Sequence, residues 1–135
     1  ALAKFRELVA HQGGDARVVD DPKLLPQAAR RVEVRARSAG TVRRLDALSV
    51  GRAANLLGAG RTKKEDAIDP AVGVEIAKKI GDAVEKAETL AIVHVNDEAN
   101  LAEALRMVES AYDLDSSGAR HAPPPLIVER ILGAS

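Results

Sequence analysis

The 135-residue sequence has no cysteine and no tryptophan, a single phenylalanine, a single tyrosine and no net charge, its twenty basic residues being matched by twenty acidic ones. Each shortage excludes something. Without cysteine there is neither a disulfide nor a thiolate metal site, and a cytoplasmic location fits that usage. Two aromatic rings cannot make a base-stacking platform, and a balanced charge lacks the clustered basic excess of a polyanion-binding surface, so nucleic acid is not an expected partner. No apolar run reaches the roughly 18 residues of a membrane span and no signal-peptide pattern is present, so no membrane partner is expected either. Hydrophobic residues still make up 46 % of the chain. The core must therefore be aliphatic, built from Val, Ile, Leu and Ala, and the length suits one domain.

Apolar periodicity divides the chain. Leu2, Phe5, Leu8 and Val9 already run at helical spacing behind Ala1, with no capping residue before them. Such a start is expected of a piece of a longer chain, with this first helix the least protected part. Gly13-Gly14 provides a left-handed stop. The stretch from Asp15 to Pro26, with two prolines, reads as a loop holding at most one helical turn near Leu24. From Val32 the period changes to two, predicting a strand that turns at Ser38-Ala39-Gly40 into a second strand, Thr41 to Leu45. Asp46 or Ser49 can cap a short helix with Val50, Ala53, Ala54 and Leu57 on its apolar face, and Gly51 inside it suggests a close packing contact.

Strands are expected at Val74 to Ile76, near Val84 after a tight Gly81-Asp82 turn, and at Leu90 to Val95. Asn96 is placed to cap a helix reaching Tyr112, with Leu101, Ala104, Leu105 and Val108 on its apolar stripe. A polar loop from Asp113 to Ala122 then leads through three prolines to an extended segment, Leu126 to Leu132. The pattern is α+β, with Val32 to Leu45 and Val74 to Val95 in one small barrel-like sheet and the last helix packed on it.

The stretch from Gly58 to Gly73, GAGRTKKEDAIDPAVG, has the residue types of a loop that adopts positive φ and approaches something closely. Gly58-Ala59-Gly60-Arg61 is not a dinucleotide fingerprint, because the helix precedes it and no third glycine follows at the required spacing. One reading is a helix stop running into a surface loop. The other is a domain-closure loop, with Gly58 and Gly60 freeing the backbone and the Arg61 guanidinium latching a neighbouring domain. Lys63-Lys64-Glu65-Asp66 is a self-compensating charge run. His11, His94 and His121 are far apart in sequence, with no acidic partner at ligand spacing. His94, at a strand end, reads as a core-edge histidine. Ser116-Ser117-Gly118 lacks the strand–turn–helix setting of a nucleophile elbow. No residue is assigned as catalytic, substrate-binding or metal-binding, and no cofactor is expected.

Two stretches, RARSAGTV (Arg35 to Val42) and KKIGDAVEKAETLAIV (Lys78 to Val93), resemble the halves of a biotinyl or lipoyl domain. The lysine-bearing hairpin of those carriers is missing, and a helix with the glycine loop stands in its place. That describes a hammerhead-type barrel-sandwich hybrid with packed helices. With KFRELVAHQGGD (Lys4 to Asp15), VVDDPKLLP (Val18 to Pro26), GRAANLLGAGRTKKEDAIDPAVG (Gly51 to Gly73), the segment from Lys78 to Leu105 and PPPLIVERI (Pro123 to Ile131), the chain resembles the C-terminal domain of the pyrimidine-nucleoside phosphorylases, which include the thymidine phosphorylases. Ala87 departs from that pattern, where the family more often has glycine.

The resemblance implies phosphate-dependent cleavage of pyrimidine nucleosides to free base and pentose 1-phosphate, by a homodimeric enzyme without a cofactor. It also implies that the phosphate- and base-binding residues lie in an earlier part of the chain. Residues 1–14 are then a linking helix from the preceding α/β region, and residues 15–135 are the C-terminal domain. The partner is the remainder of the same phosphorylase chain. A free-standing biotinyl/lipoyl-like structural or binding domain is the alternative.

Overall fold

The computed structural model describes residues 1–60 and 67–131. Helix α1 (Leu2–His11) ends against Gly13, whose φ of 77° lies in the left-handed region. Two short 3₁₀ turns follow, Ala16–Val19 and Pro22–Leu24, each begun by an aspartate (Asp15, Asp21) whose carboxylate accepts the backbone N–H two residues on. This fixes the proline-rich stretch without burying any of it.

Six strands form two separate three-stranded antiparallel sheets. Strand β1 (Arg30–Arg35) and strand β3 (Gly73–Ile76) flank β5 (Thr89–Val95) in one sheet. Strand β4 (Ala83–Val84) and strand β6 (Tyr112–Asp115) flank β2 (Gly40–Leu45) in the other. The fold is α+β as the periodicity predicts, but the strands do not join into one barrel-like sheet. The hairpin partners divide: β1 pairs with β5 and β2 with β4 and β6, although β1 and β2 are consecutive.

The two stretches matched by their sequence do meet. Val42 N–H donates to Asp82 O at 3.0 Å and Gly81 N–H to Val42 O at 2.9 Å. Ala36 N–H donates to Glu88 O and Ala87 N–H to Ala36 O, both at 2.8 Å. The turn that presents Ala87 holds it at φ 67°, a conformation that costs an L-residue roughly 1–2 kcal/mol. Here the alanine at a glycine position has a local consequence.

Helix α2 (Ala47–Ala54) is begun by Asp46, which accepts from Leu48 N–H at 3.2 Å and from the Ser49 hydroxyl at 2.7 Å. Of the two candidate caps Asp46 is the one used, and Ser49 supports it. A Cβ added at Gly51 would meet no atom within 4 Å, so the close contact expected there does not exist. Helix α3 (Leu101–Ala111) starts later and ends earlier than the periodicity suggests. A 3₁₀ turn, Glu98–Asn100, precedes it, capped by Asp97 rather than Asn96. Tyr112 leaves the helix for β6, so Tyr112 to Asp115 are strand rather than helix end and polar loop. Its hydroxyl donates toward Leu90 O at 2.7 Å and lies 3.0 Å from Lys78 O, which explains the detour.

The core is aliphatic apart from Tyr112. Val42, Val93, Val95 and Val108 are fully buried, joined by Ala53 of α2, Leu57 just after it, Leu90 of β5 and Ala104 of α3. Alternation in β5 sends Ala91, Val93 and Val95 to one face. A register irregularity between β1 and β5 opposite Val34 and Arg35 buries Leu90 as well. Beyond β6, residues 116–131 form no strand, and Leu126, Ile127, Val128 and Ile131 are exposed.

Candidate functional site

The glycine loop leaves the core through a distorted helical turn, Asn55–Ala59, in which Gly58 has φ 106° and breaks the helix. Its carbonyl accepts from Asp69 N–H at 2.9 Å, closing the neck of the loop. Gly60 is there for a different reason. Its backbone is extended, and an added Cβ would fall 2.3 Å from Oδ1 of the exposed Asn55, so a side chain here requires that amide to swing aside. Arg61 and the charge run Lys63 to Asp66 lie outside the described residues. The two glycines therefore frame a loop whose stem is fixed by local geometry.

A polar clasp holds that stem to the rest of the molecule. Asp69 Oδ2 accepts from Asn96 Nδ2 at 2.6 Å, while Asn96 Oδ1 accepts from Ala29 N–H at 2.7 Å. Asp69 Oδ1 accepts from Ala71 N–H at 2.9 Å. The Asn96 amide and the Ala71 N–H hold the Asp69 carboxyl below its ordinary range. Asn100 Nδ2 adds a 3.3 Å bond to Leu56 O. Asn96 follows a strand and precedes an acidic pair, which is why it resembles a helix cap in sequence. Only the fold reveals that it joins the loop neck to the segment before β1.

Each histidine has an acidic neighbour, at helical i,i+4 spacing for His11 and through the fold for His94 and His121. His94 Nε2 lies 3.2 Å from Glu75 Oε2 across the β3–β5 pair, and Arg31 reaches the same oxygen at 3.3 Å. His11 stands 3.7 Å from Glu7 on α1. His121 Nε2 lies 2.7 Å from Asp115 Oδ2, with both side chains mostly buried. Asp115 also accepts from Ser117, through its side chain and its N–H, and these bonds with that to His121 hold the carboxyl well below the usual carboxylate range.

Serine, aspartate and histidine thus meet, but in the wrong order for nucleophilic catalysis. A triad needs histidine between serine and carboxylate, so that imidazole takes the serine proton. Here the carboxylate is central and binds both others, which makes a clasp for the turn after β6. Among the described residues no three His, Cys, Asp or Glu side chains converge as metal ligands, and no helix is long and apolar enough to cross a membrane.

The family described as pyrimidine nucleoside phosphorylase C-terminal domain matches residues 41–115. The chain is 47 % identical over 127 residues to the pyrimidine-nucleoside phosphorylase of Bacillus subtilis, covering 94 % of this chain and 28 % of that protein. It is 39 % identical over 132 residues to those of Staphylococcus haemolyticus and Staphylococcus aureus, covering 98 % of this chain and 29 % of each relative. A free-standing biotinyl/lipoyl-like structural or binding domain is not favoured by these relatives. The chain spans under a third of the length of the curated relatives it matches, and it belongs to the pyrimidine nucleoside phosphorylase C-terminal domain family.

Proposed function

We propose that the chain is the non-catalytic C-terminal part of a pyrimidine-nucleoside phosphorylase, an enzyme that uses inorganic phosphate to cleave pyrimidine nucleosides to free base and pentose 1-phosphate. One observation carries the reading: the match takes in 94 % of this chain but 28 % of the Bacillus subtilis enzyme. The reactive groups are then supplied by the portion of the enzyme outside the match. The described residues agree with this, because their buried groups are aliphatic apart from Tyr112, whose hydroxyl is bonded to backbone carbonyls, and no buried side-chain polar atom lacks a partner.

In this reading residues 1–14 are the linking helix from the preceding α/β region and residues 15–135 the C-terminal domain. The exposure of Leu2, Phe5 and Leu8 on α1 supports it, since these side chains form an apolar stripe that the described residues leave at least half exposed. The two sheets correspond to the halves of a hammerhead-type barrel-sandwich hybrid, joined by the backbone bonds between Ala36 and Val42 and the Gly81–Glu88 turn region. The whole enzyme is a cytoplasmic homodimer.

Incubating the 135-residue chain with thymidine or uridine and phosphate tests the assignment. No free base is released by the chain alone. Release of base above background with enzyme at stoichiometric concentration would overturn the non-catalytic reading.

A further inference from the structure

An open cleft of about 730 Å³ lies where the end of β1, strands β2 and β6, and helix α3 meet. Arg35, Arg37, Arg44 and Arg106 line it, against Asp46, Glu109 and Asp113. Its volume lies in the range of small-molecule sites. Most of these charges are already committed. Arg35 pairs with Glu33 at 2.7 Å, Arg37 holds Glu109 through two bonds, and Asp113 is taken by Arg43 at 2.5 Å. Asp46 caps α2. Arg44 and Arg106 remain, with no carboxylate partner among the described residues. The other strand arginines, Arg30, Arg31, Arg35 and Arg43, all have one.

The backbone is built to put Arg44 there. Unbroken alternation in β2 would send Val42 and Arg44 to the same, buried face. The register between β2 and β6 instead shifts between Val42 and Arg44. Val42 stays fully buried, Leu45 packs against the core, and Arg43 and Arg44 are both exposed. A bulge of this kind re-aims a side chain at a cost in pairing. Leu90, buried by the other register irregularity, lines the same cleft. Two irregularities in two different sheets thus shape one cavity.

We propose that this cleft binds a phosphate monoester, its phosphate held by Arg44 and Arg106 and its organic group set against the half-buried Leu114. Two unpaired guanidinium forks match phosphate oxygens bidentately. A cleft concentrates their field, although the chain as a whole carries no net charge.

The test is an amide-shift titration of the 135-residue chain with ribose 5-phosphate, inorganic phosphate and succinate. Ribose 5-phosphate saturates with a dissociation constant of about 1 mM or tighter, moving the amides of Arg44, Ser110 and Asp113. R106A, on the outer face of α3, weakens it at least tenfold, and R44Q does the same while keeping the bulge. R52A, an exposed arginine of α2 outside the cleft, leaves it unchanged. The amide spectra of the free variants establish that each is folded. Non-saturating shifts, or equal loss in R52A, would overturn the proposal. So would succinate binding as tightly as the ester, which removes phosphate selectivity, or inorganic phosphate doing so, which removes the role of the organic group.

Discussion

Helices α1 and α3 are nearly the same length and both carry an apolar stripe, yet they meet opposite fates. Leu101, Ala104, Val108 and Ala111 of α3 are buried against α2 and the strands, whereas α1 buries no residue and packs mainly on the 3₁₀ turn after it. Leu2 is 70 % exposed, Phe5 52 % and Leu8 51 %. An amphipathic pattern therefore states that a face is made for burial and says nothing of what buries it. For α3 the covering surface is in this chain.

That contrast can be broken most forcefully in the interior. Leu90 is 2 % exposed, and Leu90→Ala should cost about 2–5 kcal/mol by urea denaturation, the range for a buried leucine whose neighbours relax only in part. A loss under about 1 kcal/mol would mean that the junction of the sheets collapses around the cavity instead of keeping its shape.

Tyr112 gives a smaller effect with a pH signature. Burial is the main cause that pushes its phenol up to about 12 from an ordinary 10. A raised value stabilises the fold fully below pH 10, where both states are protonated, and that contribution is lost as the pH rises toward 12. Thermal unfolding should therefore weaken between pH 10 and 12, and Tyr112→Phe should remove this part of the alkaline decline. At neutral pH the same variant loses about 1 kcal/mol, because Leu90 O keeps the N–H bonds of Ala77 and Lys78.

Two backbone positions exchange their ideal residues. Gly51 sits in the interior of α2 with open space at its Cβ position, and Ala87 sits at positive φ. Gly51→Ala and Ala87→Gly should each stabilise by about 0.5–1 kcal/mol, read as a rise in melting temperature. The smallest effect sharpens the opening contrast. Leu8→Ala, the substitution made at Leu90, should change the stability of this chain by no more than about 0.5 kcal/mol.

How much of this was legible in sequence follows from the range of each interaction. Period-two and period-3.6 patterns located β1, β2, β3, β5, α2 and α3 because those patterns depend on neighbours within a turn or a pleat. The division into two sheets was not legible, since it depends on which distant strand each edge meets. Tyr112 reads as the last residue of a helical stripe, and only the carbonyls of Lys78 and Leu90 draw it into β6. Asn96 likewise reads as a cap until Ala29 and Asp69 are brought beside it. Gly58 was identified correctly as a helix stop because its φ is a local matter. The bulge that exposes Arg44 does leave a trace, since Arg43 and Arg44 stand side by side between Val42 and Leu45 and break the alternation, but only the pairing with β6 shows where the extra residue sits.

The pairing of β1 with β5 has a consequence for synthesis. Arg30 meets Val95, so β1 leaves the ribosome about 65 residues before its partner exists, which at ordinary elongation rates is about 3–13 s. For that interval an unpaired strand carrying Val32 and Val34 is exposed to other nascent chains. The same strand carries Arg30, Arg31, Glu33 and Arg35. Close-set charges of this kind act as gatekeepers that discourage edge-to-edge association. The surface arginines of β1, whose ion pairs with Glu98, Glu75 and Glu33 contribute little to the finished fold, protect the chain before the fold is complete.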